Sequence, residues 1–117
     1  MKRIAGVLLL ICNLISPSFG QAAAKDIVTE KINVSGVCGE CKKRIEEAAY
    51  VPGVKRAEWN VATKILTVTY RPSKTTLKNI EEHIAAVGHD AGEVKAKDQD
   101  YQKLPGCCAY KEGVKTH

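Results

Sequence analysis

Apolar and polar residues alternate along three stretches of the chain, residues 27–34, 54–61 and 65–70. This two-residue period is typical of β-strands that bury one face. In the third stretch, for example, Leu66, Val68 and Tyr70 share one face. Only a short polar turn separates the second and third stretches, so together they predict a β-hairpin.

Two other stretches have the three- and four-residue spacing of helices that bury one side. The first, residues 41–49, is followed by Pro52, which disfavours helical geometry in the residue before it. The second has the most regular apolar stripe in the chain, formed by Leu77, Ile80, Ile84 and Val87. A last short alternating stretch at 92–96 predicts a fourth strand, with Val94 and Ala96 inward.

The resulting order of strand, helix, strand, strand, helix and strand is typical of the split βαβ arrangement. It predicts an α+β, ferredoxin-like βαββαβ sandwich, in which two helices cover one face of an antiparallel four-stranded sheet. We expect this domain to span residues 25–96 and to be followed by a cysteine-containing tail over residues 97–117.

The N-terminal residues have the organisation of a secretory signal peptide, predicted over residues 1–24. A charged start precedes an apolar run at 4–15, and small residues follow. The run is shorter than the about 20 residues needed to span a bilayer, so we expect no stable membrane insertion after cleavage. Cleavage after Gly20 or after Ala24 suits the small residues, and the product would be periplasmic or secreted.

The charge of the chain argues against nucleic acid as a partner. The formal net charge is +5, and it falls to +3 when Lys2 and Arg3 leave with the signal peptide. The remaining basic residues are spread along the chain and are not interleaved with stacking aromatic residues, unlike a nucleic-acid-binding surface.

The first predicted strand leads directly into Cys38-Gly39-Glu40-Cys41, a CxxC pair at the start of the first predicted helix. Backbone N–H groups and the positive end of the helix dipole lie there, so we expect lowered pKa values for these thiols. The basic run 42–44 follows at once and predicts a solvated helix face, which can also be a docking face for an acidic partner.

Thiolates in this position suit a soft metal ion. Two thiolates satisfy an ion of low coordination number such as Cu(I), which can be handed on by exchange of thiolate ligands. Zinc usually takes four ligands, so Zn(II) or Cd(II) would need further thiolates beside the CxxC pair. The pair therefore predicts a Cu(I) site.

The strand, the CxxC pair and the helix, within the βαββαβ pattern, resemble the heavy-metal-associated domain of copper chaperones, copper-transporting P-type ATPases and periplasmic mercury-binding proteins. The family loop reads Gly-Met-Thr-Cys-x-x-Cys, and here Ser35-Gly36-Val37 replaces Gly-Met-Thr. The resemblance implies that Cys38 and Cys41 bind Cu(I), with Hg(II) as the closest alternative. It also implies a metal-transporting P-type ATPase, or another metal donor or acceptor protein, as a partner.

His89 is a candidate for a third ligand. It follows the second predicted helix, and in the resembling fold that position lies in a loop beside the loop that carries the CxxC pair. The side chain is either a ligand or tuning group for the ion, or a solvated loop histidine whose partner is Asp90.

The adjacent residues Cys107 and Cys108 in the tail are further candidates. They predict a second soft-metal site, a flap that donates thiolates to the CxxC pair, or a redox switch, since a disulfide between neighbours would be strained. The alternative is that Tyr101 and Tyr110 anchor the tail on the sheet and that the two cysteines are incidental.

A thiol-disulfide oxidoreductase is the alternative class for a CxxC pair at a helix start in an exported protein. The order of elements disfavours it, because a hairpin follows the first helix where a thioredoxin fold needs more parallel βα structure. Hydrolytic chemistry is not indicated, since the sequence has no convincing set of nucleophile, base and orienting residue. We therefore predict an exported metal-binding protein that is not an enzyme and that either transfers or scavenges its ion.

Overall fold

Three strands and two long helices form the domain in the computed structural model, which describes residues 26–113. The strands are β1 (Val28–Asn33), β2 (Val54–Trp59) and β3 (Ile65–Tyr70), and the long helices are α1 (Gly39–Ala49) and α2 (Leu77–Ala86). The tail adds the short helix α3 (Asp98–Tyr101) and two single-turn 3-10 helices, Gly106–Cys108 and Tyr110–Glu112.

β3 is the central strand of an antiparallel three-stranded sheet with the order β1-β3-β2. Leu66 of β3 pairs with Ile32 on one side and with Trp59 on the other. Every second residue of β3 is buried, so one face of the sheet forms the core. The same core contains residues of both long helices, namely Ile45, Ala49, Ile80 and Ile84. The predicted hairpin and the antiparallel α+β architecture are confirmed.

The predicted fourth strand is wrong, because residues 92–96 form no strand in the described structure. Isolated bridges link Ala91 to Val34 and to Val94 instead. Ala91 and Val94 exchange two backbone hydrogen bonds of 2.9 Å, and Gly92 between them has a φ of +57°. The chain therefore turns tightly back on itself at this point and cannot continue alongside β1.

β1 is one residue shorter at each end than predicted, and two other boundaries differ from the prediction by two residues. α1 begins at Gly39 rather than at residue 41, because Cys38 has the extended backbone of an N-cap residue. β2 ends at Trp59 rather than at residue 61, because the side-chain oxygen of Asn60 accepts hydrogen bonds from the N–H groups of Ala62 and Thr63. This arrangement starts a turn, which ends the strand.

The two ends of the chain lie outside the described residues. The predicted signal peptide, residues 1–24, belongs to this part of the sequence, and so do residues 114–117 of the predicted tail. Between residues 26 and 113, no helix is long and apolar enough to cross a membrane.

Candidate metal centre

The loop between β1 and α1 brings the two cysteines of the CxxC pair together. The loop is tied to the turn after α2, because the Ser35 N–H donates a hydrogen bond to the Asp90 carbonyl at 3.0 Å. Cys38 is then the N-cap residue of α1, and Cys41 lies in its first turn. Their Sγ atoms are 3.4 Å apart, and both residues are buried.

Trp59 supports this loop from the sheet. Its side chain is almost fully buried, and its Nε1 donates a hydrogen bond to the Val34 carbonyl at 3.0 Å. Gly36 crosses the indole so closely that a Cβ there would lie 3.0 Å from the ring and 3.1 Å from the Cβ of Cys41. Residue 36 must therefore be small if the loop is to keep its path over the indole.

Replacing Gly36 with alanine is expected to lower the free energy of unfolding by about 1–3 kcal/mol, the usual cost of overpacking. Gly39→Ala is the matched control, because nothing lies within 4 Å of a Cβ at that position. Urea denaturation followed by the fluorescence of the single tryptophan measures both variants. Equal stability of the two alanine variants would contradict the close approach at Gly36.

The tail brings a third thiol to the CxxC pair. Cys108 is completely buried in the 3-10 helix Gly106–Cys108, and its Sγ lies 3.6 Å from that of Cys38. Among the described residues, the Sγ atoms of Cys38, Cys41 and Cys108 form a group that could hold a metal ion, with all three atoms within 4.8 Å of one another. Cys107 lies outside this group and is half-buried. All of these cysteines are free thiols.

Two of the three sulfurs accept hydrogen bonds from groups that are not metal ligands. The Val37 N–H donates to Cys41 Sγ and Arg44 Nη1 donates to Cys108 Sγ, each at 3.4 Å. Arg44 is half-buried, with its guanidinium on Cys108, whereas Lys43 beside it is exposed. No sequence signal pairs Arg44 with Cys108, because 64 positions separate the two residues.

The thiols differ in how readily they lose a proton. Burial acts to raise the pKa of Cys38, but the backbone and thiol of Cys41, together with the thiols of Cys108 and Cys107, lower it from 9.0 to about 7. Burial and the neighbouring thiols of Cys41 and Cys38 raise the pKa of Cys108, and Arg44 acts against them. The pKa of Cys107 is also raised, chiefly by the nearby thiol of Cys38. Cys38 is thus more readily ionised than either tail thiol.

His89 is buried, so the expected solvated histidine paired with Asp90 is wrong. Its Nδ1 lies 2.7 Å from the Ser35 carbonyl oxygen, and its Nε2 has no hydrogen-bond partner among the described residues. Burial lowers the pKa of His89 to about 4, with Arg44 acting in the same direction and Ser35 and Asp90 against it. The structure does not bring His89 into the group of three sulfurs.

Tyr110 holds the tail against the loop that follows α2. Its hydroxyl donates a hydrogen bond to the Gly88 carbonyl at 2.8 Å and accepts one from the Asp90 N–H at 3.1 Å. Its ring stacks on His89, with 5.7 Å between the centroids, and meets Tyr101 edge to face. Tyr110 therefore anchors the tail to this loop. The alternative from the sequence, in which Tyr101 and Tyr110 anchor the tail on the sheet, is wrong for Tyr110.

The part of the chain that matches a known protein family contains the CxxC pair, both long helices and nearly all of the sheet. The model of the family described as "Heavy-metal-associated domain" matches residues 31–90, about half of the chain. The chain belongs to the heavy-metal-associated domain family. This heavy-metal-associated domain is a metal-binding domain and not an enzyme. The match ends before α3, so Cys107 and Cys108 lie outside it.

Several proteins similar to this heavy-metal-associated domain have names that refer to metal handling. The zinc-transporting ATPase of Synechocystis sp. is 40% identical over 70 residues, which is 58% of this chain but only 10% of that protein. The structure of the CopZ metallochaperone is 32% identical and has a TM-score of 0.53, covering 55% of this chain and 98% of that one. A copper binding domain from a P-type ATPase is 26% identical with a TM-score of 0.53, covering 60% of this chain and 96% of that one. The chain thus spans about a tenth of the length of its curated relative.

Proposed function

We propose that this protein captures Cu(I) through Cys38 and Cys41 and then transfers or sequesters the ion. The observation that carries the proposal is the pair of buried sulfurs 3.4 Å apart at the start of α1, in a family of metal-binding domains. Thiolates select soft ions, and the positive end of the helix dipole offsets part of their negative charge.

Cu(I) suits this site better than Zn(II), because zinc usually takes four ligands and the group of thiols among the described residues has three. The likeness to a copper binding domain of a P-type ATPase supports the same choice. The likeness to a zinc-transporting ATPase makes Zn(II) the second ion to test. Hg(II) and Cd(II) are the remaining soft ions that the cysteines predict.

We further propose that the protein works after export, as a periplasmic or secreted carrier. The sequence pattern of a signal peptide supports export. A metal-transporting P-type ATPase, or another carrier with exposed thiols, would supply or receive the ion by ligand exchange. Lys43 is exposed on α1 close to the CxxC pair, which favours an acidic docking surface on that partner.

Anaerobic titration of the reduced protein with Cu(I), against a colorimetric chelator of known affinity, tests the proposal. We expect one ion per chain. Cys38→Ser and Cys41→Ser should each weaken binding by about a hundredfold, because even groups behind the ligands contribute 10–100-fold. The same titration with Zn(II) ranks the two ions.

His83→Gln is the control variant, because it removes an exposed imidazole of α2 that lies outside the thiol group. It should bind Cu(I) as the native protein does. Failure of the native protein to hold Cu(I) against a weak chelator would reject the metal-binding proposal and make disulfide exchange by the CxxC pair the leading function.

A further inference from the structure

We propose that Cys108 supplies a third thiolate to the ion held by Cys38 and Cys41, so that the tail completes a three-sulfur site. This inference rests on the proposed function, since it adds a ligand to the same ion. The family match ends at residue 90, so the third ligand comes from a part of the chain outside the matched domain.

The spacing of the sulfurs suits three ligands better than two. With metal–sulfur bonds of about 2.3 Å, two sulfurs in line would lie about 4.6 Å apart and three in a triangle about 4.0 Å apart. Cys38 Sγ lies 3.4 Å from Cys41 Sγ and 3.6 Å from Cys108 Sγ. A linear complex would require the Cys38 and Cys41 sulfurs to move apart by more than about 1 Å, whereas a triangle requires each of these two distances to grow by only roughly half an ångström.

The tail fixes Cys108 from both sides. Before it, Leu104 packs so closely on the end of α2 that a Cβ at Gly88 would lie 2.9 Å from the leucine side chain. After it, Tyr110 hydrogen-bonds the Gly88 carbonyl and the Asp90 N–H. A ligand that is already held in place loses little conformational entropy when the ion binds.

Charge compensation favours Cys108 as a thiolate in the bound state. Three thiolates around one Cu(I) leave a net negative charge in a buried site, which must be offset. Arg44 donates directly to Cys108 Sγ and brings a full positive charge to it. The Val37 N–H and the positive end of the α1 dipole likewise offset negative charge on the Cys41 sulfur.

Binding replaces thiol protons by the ion. Three sulfur–metal bonds form, the protons of the thiols pass to water, and no electron changes hands. Because a third bond must break before the ion leaves, we expect slower release to a competing chelator than from a two-sulfur site.

X-ray absorption at the copper edge and the Cu(I) titration together test this assignment. We expect three sulfur ligands in the native protein and two in Cys108→Ser, with an affinity about tenfold lower in the variant. Cys107→Ser is the matched comparison, because it changes the adjacent thiol outside the group of three. It should retain three sulfur ligands.

Two sulfurs in the native complex, or an unchanged sulfur count and affinity in Cys108→Ser, would overturn the third-ligand assignment and leave the CxxC site intact. A native protein that does not retain Cu(I), or a Cys38→Ser variant that binds as the native does, would instead reject the proposed function. Far-UV circular dichroism checks that Cys108→Ser is folded. Cys108→Ala, which suits the buried position better, provides the same test if serine destabilises the tail.

Discussion

Replacing Trp59 with alanine is expected to lower the free energy of unfolding by about 3–5 kcal/mol, the usual cost of removing a buried aromatic side chain. The indole is 1% exposed and lies between the sheet and the loop that joins β1 to α1. Its removal opens a cavity beneath Gly36 and leaves the Val34 carbonyl without the indole donor. Because small domains are stable by only about 5–15 kcal/mol, this loss is a large part of the total.

Urea denaturation of the reduced protein, followed by far-UV circular dichroism, measures the effect without relying on tryptophan fluorescence. Trp59→Phe is the matched control, because it keeps most of the apolar volume and removes the hydrogen bond to Val34. We expect it to lie between the native protein and Trp59→Ala. An alanine variant with the native urea midpoint would contradict the role of Trp59 as the support of the loop.

Acidification from pH 6.5 to pH 4 is expected to destabilise the fold through His89 by up to roughly 3 kcal/mol. The folded protein holds the pKa of His89 at about 4, below its ordinary value of 6.5, chiefly by burial. Between these values the unfolded chain binds a proton that the folded chain excludes. The stabilising contribution is therefore complete above pH 6.5 and is lost as the pH falls through the folded-state pKa.

Comparison of variants separates this effect from the titration of carboxylates. His89→Asn removes the titrating ring and keeps a group that can donate to the Ser35 carbonyl. It should therefore flatten the dependence of the unfolding free energy on pH in this range. His83→Gln removes an exposed histidine and should keep the native dependence. The assignment to His89 fails if the native protein and His89→Asn lose stability in parallel.

The sheet and the long helices were predictable because local pattern and tertiary packing agree there. Leu66, Val68 and Tyr70 alternate with polar residues in the sequence, and all three are buried in the structure. Leu77 at the start of α2 follows Thr76, whose side chain accepts a hydrogen bond from the Asn79 N–H as an N-cap residue should. The CxxC pair at a helix start could be placed for the same reason.

The remaining features depend on contacts that no local pattern contains. Val94 and Ala96 alternate as a strand would, but the chain turns at Gly92, so neither of them pairs with β1. The approach of Cys108 to Cys38 joins positions 70 residues apart, so the sequence alone does not decide whether the tail is a flap, a second metal site, a redox switch or an anchor. The burial of His89 depends likewise on the tail, because Tyr110 covers its ring.

Under the proposed transfer, the tail competes with the thiols of a metal acceptor for access to the ion. Cys108 touches Cys38, so the thiols of an acceptor must displace a segment of the same chain to reach that sulfur. A short tether keeps such a segment at an effective concentration on the order of millimolar, whatever the dilution of the protein. A free chelator in dilute solution has no comparable advantage. An acceptor that first docks on the domain raises its own local concentration to the same range, so under the proposed transfer the tail would favour release of the ion within a complex over its loss to solution.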